Sequence, residues 1–178
     1  MELKGSRTEA NLMTAFSGEC MARVKYEFYA EKARDAGYEE YGNVVDEISG
    51  NEKEHAEIWF KIMCGADMPV DEAFADAEEG EIYEFEDMYP QFARTAREEG
   101  FTEIAELFER VAAIEKRHAS IYREMLGRIN SETVFKRARP VAWVCMVCGN
   151  VVEGTEPPEI CPVCGHSKAY RKEECRNL

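Results

Sequence analysis

At 178 residues and 45% hydrophobic content the chain is long enough for a sizeable core in one domain, with room for a smaller second one. A net charge of −14 excludes non-specific nucleic-acid binding and docking on an anionic membrane. From residue 140 onward five acids face four bases, so −13 of that charge lies on the earlier part, where carboxylates would be needed to hold cations.

The first ten residues are polar and contain no apolar core of a secretory signal, and no apolar run approaches membrane-spanning length. Ser6 and Glu9 form a Ser-x-x-Glu capping box ahead of a helical pattern that runs to about Gly37. Its apolar face holds Leu12, Ala15, Phe16, Ala22, Tyr26, Tyr29 and Ala33. A second helix is predicted from about Tyr38 to Cys64, with Val44, Val45, Ile48, Ile58, Trp59 and Ile62 as core candidates. Gly65 ends it, and the stretch Ala66 to Val70 makes a long connection. A third helix is predicted from near Asp71 to about Glu99, with Pro90 kinking it or ending its first half. Gly100 closes it, and Thr102 is expected to cap a fourth helix running to about Ile129. Asn130 to Pro140 is a short basic linker, after which helical periodicity gives way to turn chemistry.

The helical part is an internal repeat. Ala33-Arg34-Asp35-Ala36-Gly37-Tyr38 matches Ala96-Arg97-Glu98-Glu99-Gly100-Phe101 at an offset of 63, and the same offset takes Tyr26 to Tyr89. Two helix–Gly–helix hairpins predict an all-α four-helix bundle of ferritin-like type, each helix about 40 Å long. The expected domains are therefore residues 1–139, bundle and linker, and residues 140–178, a small cysteine-rich unit.

The repeat also carries Glu52-Lys53-Glu54-His55 onto Glu115-Lys116-Arg117-His118. On a helix, positions three apart share a face, so each unit offers one carboxylate and one imidazole to the same point. Such donors suit iron, manganese or zinc. Repeat symmetry asks for one glutamate from each remaining helix. Glu19 sits in an apolar stretch where a bare carboxylate is costly, and Glu81 is its counterpart at an offset of 62, with Glu84 as a surplus member. The one-residue slip between 62 and 63 must be absorbed between Glu81 and Tyr89, by a π-bulge or by a kink ahead of Pro90. One glutamate from each of two helices plus two Glu-x-x-His units is the ligand set of di-iron and di-manganese carboxylate bundles. Glu54 points elsewhere on its helix. Tyr26 and Tyr89 are either hydrogen-bond donors to the ligands or core aromatics.

Cys145-x-x-Cys148 and Cys161-x-x-Cys164, each followed by glycine, predict a four-thiolate metal site in a reducing compartment. The spacing does not choose between zinc and iron. His166 reads as an exposed loop residue, and Cys20, Cys64 and Cys175 as unligated.

The whole chain resembles the rubrerythrin family. The resemblance rests on Ser17-Gly18-Glu19, Glu52-Lys53-Glu54-His55-Ala56, Gly80-Glu81 with Glu84, Met88-Tyr89-Pro90, Ala96-Arg97-Glu98-Glu99-Gly100, Glu115 with His118, and the two cysteine knuckles. Cys20 stands where a small polar residue is expected. The resemblance implies a ferritin-like di-iron bundle followed by a rubredoxin-like domain with one iron on four cysteines. It implies that Glu52 and Glu115 bridge the irons, that Glu19 is terminal on one iron and Glu81 with His118 on the other, and that Glu84 and His55 exchange with redox state. The implied activity is reduction of hydrogen peroxide to water in oxidative-stress defence, in the cytoplasm of anaerobic or microaerophilic cells. Electrons would come from a rubredoxin or an NADH-dependent reductase, and the protein would be a homodimer. A ferritin-like ferroxidase would use the same carboxylates but would need no electron-input module. A zinc-ribbon adaptor would leave the Glu-x-x-His units without a role.

Overall fold

The computed structural model describes residues 2–174, so Cys175 lies outside the described residues. Helix α1 spans Arg7–Asp35 and α2 spans Glu39–Cys64. A third helical stretch is built of α3 (Val70–Tyr83), a π-helical segment (Glu84–Met88) and α4 (Tyr89–Glu98), and α5 spans Thr102–Asn130. Three short strands follow, β1 (Val141–Cys145), β2 (Val151–Gly154) and β3 (Arg171–Glu173), in the sheet order β2-β1-β3 with both pairings antiparallel. Among the described residues no helix is long and apolar enough to cross a membrane. The molecule divides into two compact units, Met1–Met68 and Pro69–Leu178.

The helix ends follow the sequence. At the start of α1 the Ser6 hydroxyl accepts the Glu9 N–H (3.1 Å), and the Glu9 carboxylate accepts the N–H of Gly5 (2.6 Å), one residue earlier than in the usual capping box. Gly37 and Gly100 both adopt φ values in the left-handed region, 84° and 88°. Each lets the chain close its helix with the same bonds, Tyr38 N–H to Ala33 and Gly37 N–H to Arg34, then Phe101 N–H to Ala96 and Gly100 N–H to Arg97. One residue then remains before the next helix. The N-cap position therefore falls on Tyr38 and Phe101, neither of which supplies a side-chain cap. Thr102 is the first residue of α5 rather than its cap, which corrects the expectation from sequence.

The third helical stretch resolves the slip in the repeat. Tyr89 N–H donates to the carbonyl of Glu84, five residues back, and the π segment inserts the extra residue between Glu81 and Tyr89. Pro90 follows directly, at the start of α4, where its missing N–H is tolerated. The stretch is re-registered there without being broken.

Within each hairpin the residues fully enclosed by the two helices are small. Ala30, Gly42, Ser49 and Ala56 are buried in the first, and Ala93, Ala96, Ala105 and Ala119 in the second. Ala30 and Ala93, and Ala56 and Ala119, are repeat mates. Several larger side chains expected in the core, Tyr29, Val44, Ile48, Ile58 and Ile62, stay exposed. Two helices share only one mutual face, and close approach fills it with small residues.

Gly42 marks the tightest approach in the first hairpin. A Cβ there would meet Arg34 Cγ at 2.8 Å and the Ala30 carbonyl at 3.2 Å. Arg34 cannot swing away, because its guanidinium is held by Glu39, Asn43 and Asp46. Gly127 on α5 has nothing within 4 Å of such a Cβ. Gly42→Ala is expected to lower the urea-unfolding midpoint, by the ~1–3 kcal/mol of overpacking. Gly127→Ala is expected to raise it by up to ~1 kcal/mol through helix propensity. Equal effects from the two would contradict the packing described.

Candidate metal centres

Three clusters of potential metal ligands stand out among the described residues, and in each the ligand atoms lie within 4.8 Å of one another. The first is Glu19, Glu52 and His55, on α1 and α2. His55 Nδ1 lies 2.9 Å from Glu52 Oε2 and 3.9 Å from Glu19 Oε2. The second is Glu81, Glu115 and His118, on α3 and α5. His118 Nδ1 lies 2.6 Å from Glu115 Oε2 and 3.6 Å from Glu81 Oε2. The two clusters repeat each other atom for atom, as the offset in sequence requires. In both, the Glu-x-x-His carboxylate is the least exposed member and the imidazole the most, with side chains 17% and 51% exposed in the first and 13% and 44% in the second. Buried Ala56 and Ala119, next to the histidines, keep bulk away from the partner helix.

The second cluster has close company. Burial, then the nearby negative charge of Glu115, holds the Glu81 carboxyl above its ordinary range, with a hydrogen bond to Glu115 and the charge of Glu84 acting in the same direction; His118 opposes them. Glu84 opens the π segment and is not one of the three clustered residues. Burial also raises the Tyr89 phenol, reinforced by Glu84, Glu115 and Glu81, so Tyr89 keeps its proton beside these carboxylates. Its ring packs against Phe92 and Phe108 as well. Tyr89 is thus a packed aromatic, as one of the two expectations has it, with its phenol in the field of the acids.

The third cluster is Cys145, Cys148, Cys161 and Cys164. Two matching knuckles build it. Gly149 and Gly165 both have φ of 75°, and their N–H groups donate back to the carbonyls of Cys145 (2.9 Å) and Cys161 (3.0 Å). Cys145 Sγ accepts backbone N–H groups from Cys148 and Val147, which lowers its pKa. Cys161 Sγ accepts those of Cys164 and Val163, which brings its pKa down to about 6. Cys164 accepts the His166 N–H, which favours its thiolate, but burial and the surrounding sulfurs outweigh this and push it up to about 12. A cation among the sulfurs would favour ionisation of all four thiols together. The sulfurs of Cys145 and Cys164, and of Cys148 and Cys161, are 3.7 Å apart. A tetrahedron with metal–sulfur bonds of ~2.3 Å has edges of about 3.8 Å, so the cage is already the size of a tetrathiolate metal site. The His166 side chain is exposed, with its ring edge-on to Tyr170, and is not among the clustered ligands.

Comparison with known proteins fits this arrangement. The family model described as Rubrerythrin matches residues 10–126, and that described as Rubrerythrin, rubredoxin-like domain, matches residues 143–170. The chain belongs to the rubrerythrin family. It is 38% identical to the rubrerythrin of Porphyromonas gingivalis, over 94% of this chain and 90% of that one. It is 40% identical to the rubrerythrin of Nitratidesulfovibrio vulgaris, over 94% of each. Among solved structures, fully reduced, all-ferrous nigerythrin is 28% identical over 97% of this chain and 91% of that chain, with a TM-score of 0.35. Membership makes the helical part ferritin-like and the cysteine unit rubredoxin-like. The rubrerythrin family binds iron, and the donors here fit it: mixed carboxylate and imidazole for a di-iron centre, and a ready-sized sulfur cage for a single iron.

Two polar residues beside the cysteines escaped the reading of the sequence. Asn150 follows the first knuckle, and its Oδ1 lies 4.0 Å from Cys161 Sγ. Arg171, which looks like a surface base in a charged tail, is buried and bonded to Asn150. A polar residue directly after the knuckle glycine was the available signal for the first; a three-residue strand gave none for the second.

The raised Glu81 pKa has a consequence for metal-free protein. A carboxyl whose folded pKa exceeds its unfolded value binds more protons when folded, so its contribution to stability falls as pH rises through that window. Glu81→Gln is therefore expected to stabilise the metal-free protein at pH 7 relative to pH 4 while weakening iron binding, measured by thermal unfolding and iron titration. A variant less stable at both pH values would contradict this.

Proposed function

We propose that the chain is a peroxidase that reduces hydrogen peroxide to water, with electrons entering through its cysteine cluster. The observation that supports this most is the presence, in one chain, of carboxylate–imidazole groups suited to a di-iron centre and a sulfur cage suited to one-electron transfer. An iron-oxidising protein of ferritin type draws its electrons from ferrous ions and has no use for such an entry.

The reaction consumes two electrons and two protons per peroxide and releases two water molecules. When bound, iron supplies the electrons to the O–O bond and polarises it as a Lewis acid. In this reading Glu19, Glu52, His55, Glu81, Glu115 and His118 would together hold the two irons. Nδ1 is the nitrogen that each histidine turns toward its glutamate, and so the one that would be offered to the metal. Glu84 and His55 would be the catalytic ligands, the pair that could exchange with redox state. Glu84 is a carboxylate in excess of its cluster, carried on a π turn beside Glu81 and Tyr89, and His55 is the more exposed imidazole. Tyr89 keeps its proton beside these carboxylates and would donate it to them, and Glu81 and Glu84 would pass protons toward the departing oxygen. Cys145, Cys148, Cys161 and Cys164 would hold a single iron suited to one-electron transfer, with a rubredoxin or an NADH-dependent reductase as the donor. The division into residues 1–139 and 140–178 follows the same roles, a reacting part and an electron-input part. The free thiols suit a reducing cytoplasm, and a homodimer is the assembly we expect.

Steady-state peroxide consumption with a reduced rubredoxin as donor tests the proposal. Wild-type protein is expected to consume peroxide in preference to dioxygen. Glu84→Ala is expected to keep its iron and to lose about 100-fold in turnover, the scale of one acid–base group. Unchanged turnover in that variant would sink the role of Glu84, and faster reaction with dioxygen would favour the ferroxidase.

A further inference from the structure

Arg171 is buried, with only 4% of its surface exposed. It starts β3, and its Cα is paired in register with that of Cys145. Its Nη1 donates to the carbonyls of Trp143 (3.2 Å) and Asn150 (2.9 Å), and its Nη2 donates to Asn150 Oδ1 (3.2 Å). The Nε–H is buried with no partner. Among the described residues this guanidinium therefore meets only neutral oxygens. Glu173, two residues on, is engaged by Arg137, which also lies over the Trp143 ring.

A buried charge without a counter-charge is strongly unfavourable, and arginine cannot escape by giving up its proton. An anion is expected nearby, and among the described residues the cysteine cluster is in reach. Contacts of 3.2 and 4.0 Å through a single amide oxygen link Arg171 Nη2 to Cys161 Sγ.

We propose that Arg171 is the counter-charge of the thiolate-bound iron and sets its reduction potential. Four thiolates give a ferric ion a formal charge of −1 and a ferrous ion −2. A fixed positive charge one amide contact from a ligating sulfur stabilises the second state more than the first, and net charge is one of the levers that set such potentials. Arg171 thus favours the reduced cluster and eases electron entry from an external donor. Asn150 holds the guanidinium at its place from both its carbonyls. Arg171 is a positioning residue, since it touches neither substrate nor iron, and the inference rests on iron occupying the four cysteines.

The test is an anaerobic spectroelectrochemical titration of full-length, iron-loaded protein, following the ferric–thiolate absorption in wild type, Arg171→Gln and Arg171→Lys. Arg171→Gln is expected to lower the equilibrium constant for reduction at least tenfold, a fall of about 59 mV for one electron. Arg171→Lys keeps the charge and is expected to stay within threefold of wild type. Iron lost from Arg171→Gln but retained by Arg171→Lys shows the same charge dependence as an affinity and supports the proposal. A Gln variant within threefold of wild type overturns it. So does a Lys variant that falls as far as the Gln variant, or loss of iron from both, since either outcome gives Arg171 a purely structural role. Wild-type protein without ferric–thiolate colour after iron loading removes the iron reading itself, and shows this before any variant is made.

Discussion

Like charges held within 4.8 Å of one another are the constraint on which the rest of this chain depends. Two glutamates meet in each helical cluster, and four sulfurs meet between the knuckles. In water such groups stay apart. Here rigid helices and glycine turns force them together, and the strain shows in the protonation behaviour: Glu81 is held above the usual carboxyl range and Cys164 is pushed up to about 12. A cation relieves all of this at once. Metal binding, proton release and stability are therefore one coupled equilibrium in this molecule.

The fold serves that concentration of charge with small means. Alanines and Gly42 let paired helices approach closely, and a glutamate on one helix thereby reaches the Glu-x-x-His unit of the next. The π segment adds the single residue by which the second hairpin differs from the first. At that segment Glu84 adds its negative charge beside Glu81 and Tyr89, a carboxylate for which the first hairpin has no counterpart. In the knuckle domain, backbone N–H groups do for sulfur what the helices do for carboxylates. They favour thiolates at Cys145 and Cys161, while the Arg137–Glu173 pair ties the incoming linker to the sheet.

Most of this was legible in the sequence, because a repeat makes weak signals check one another. One Glu-x-x-His on an acidic helix means little. Two at an offset of 63, with Glu19 and Glu81 at 62, locate both clusters and require an insertion between Glu81 and Tyr89, where the π segment lies. Other features had no such cross-check. Thr102 looked like a cap because caps are recognised by residue type, whereas the position is fixed by how many residues the glycine turn leaves over. Ile58 and Ile62 have helical spacing but do not lie on the face that α2 shares with α1. Burial of Arg171 depends on its pairing with Cys145, 26 residues earlier in a strand too short to show a period.

The claim that these charge clusters form an enzyme is tested most directly by stopped-flow absorbance. Fully reduced, iron-loaded protein is mixed with hydrogen peroxide or, separately, with dioxygen. The account predicts rapid oxidation by peroxide, much slower oxidation by dioxygen, and ferric–thiolate colour that develops after the di-iron absorbance, as electrons drain from the cysteine site. Faster oxidation by dioxygen, or a cysteine site that stays colourless throughout, would contradict it.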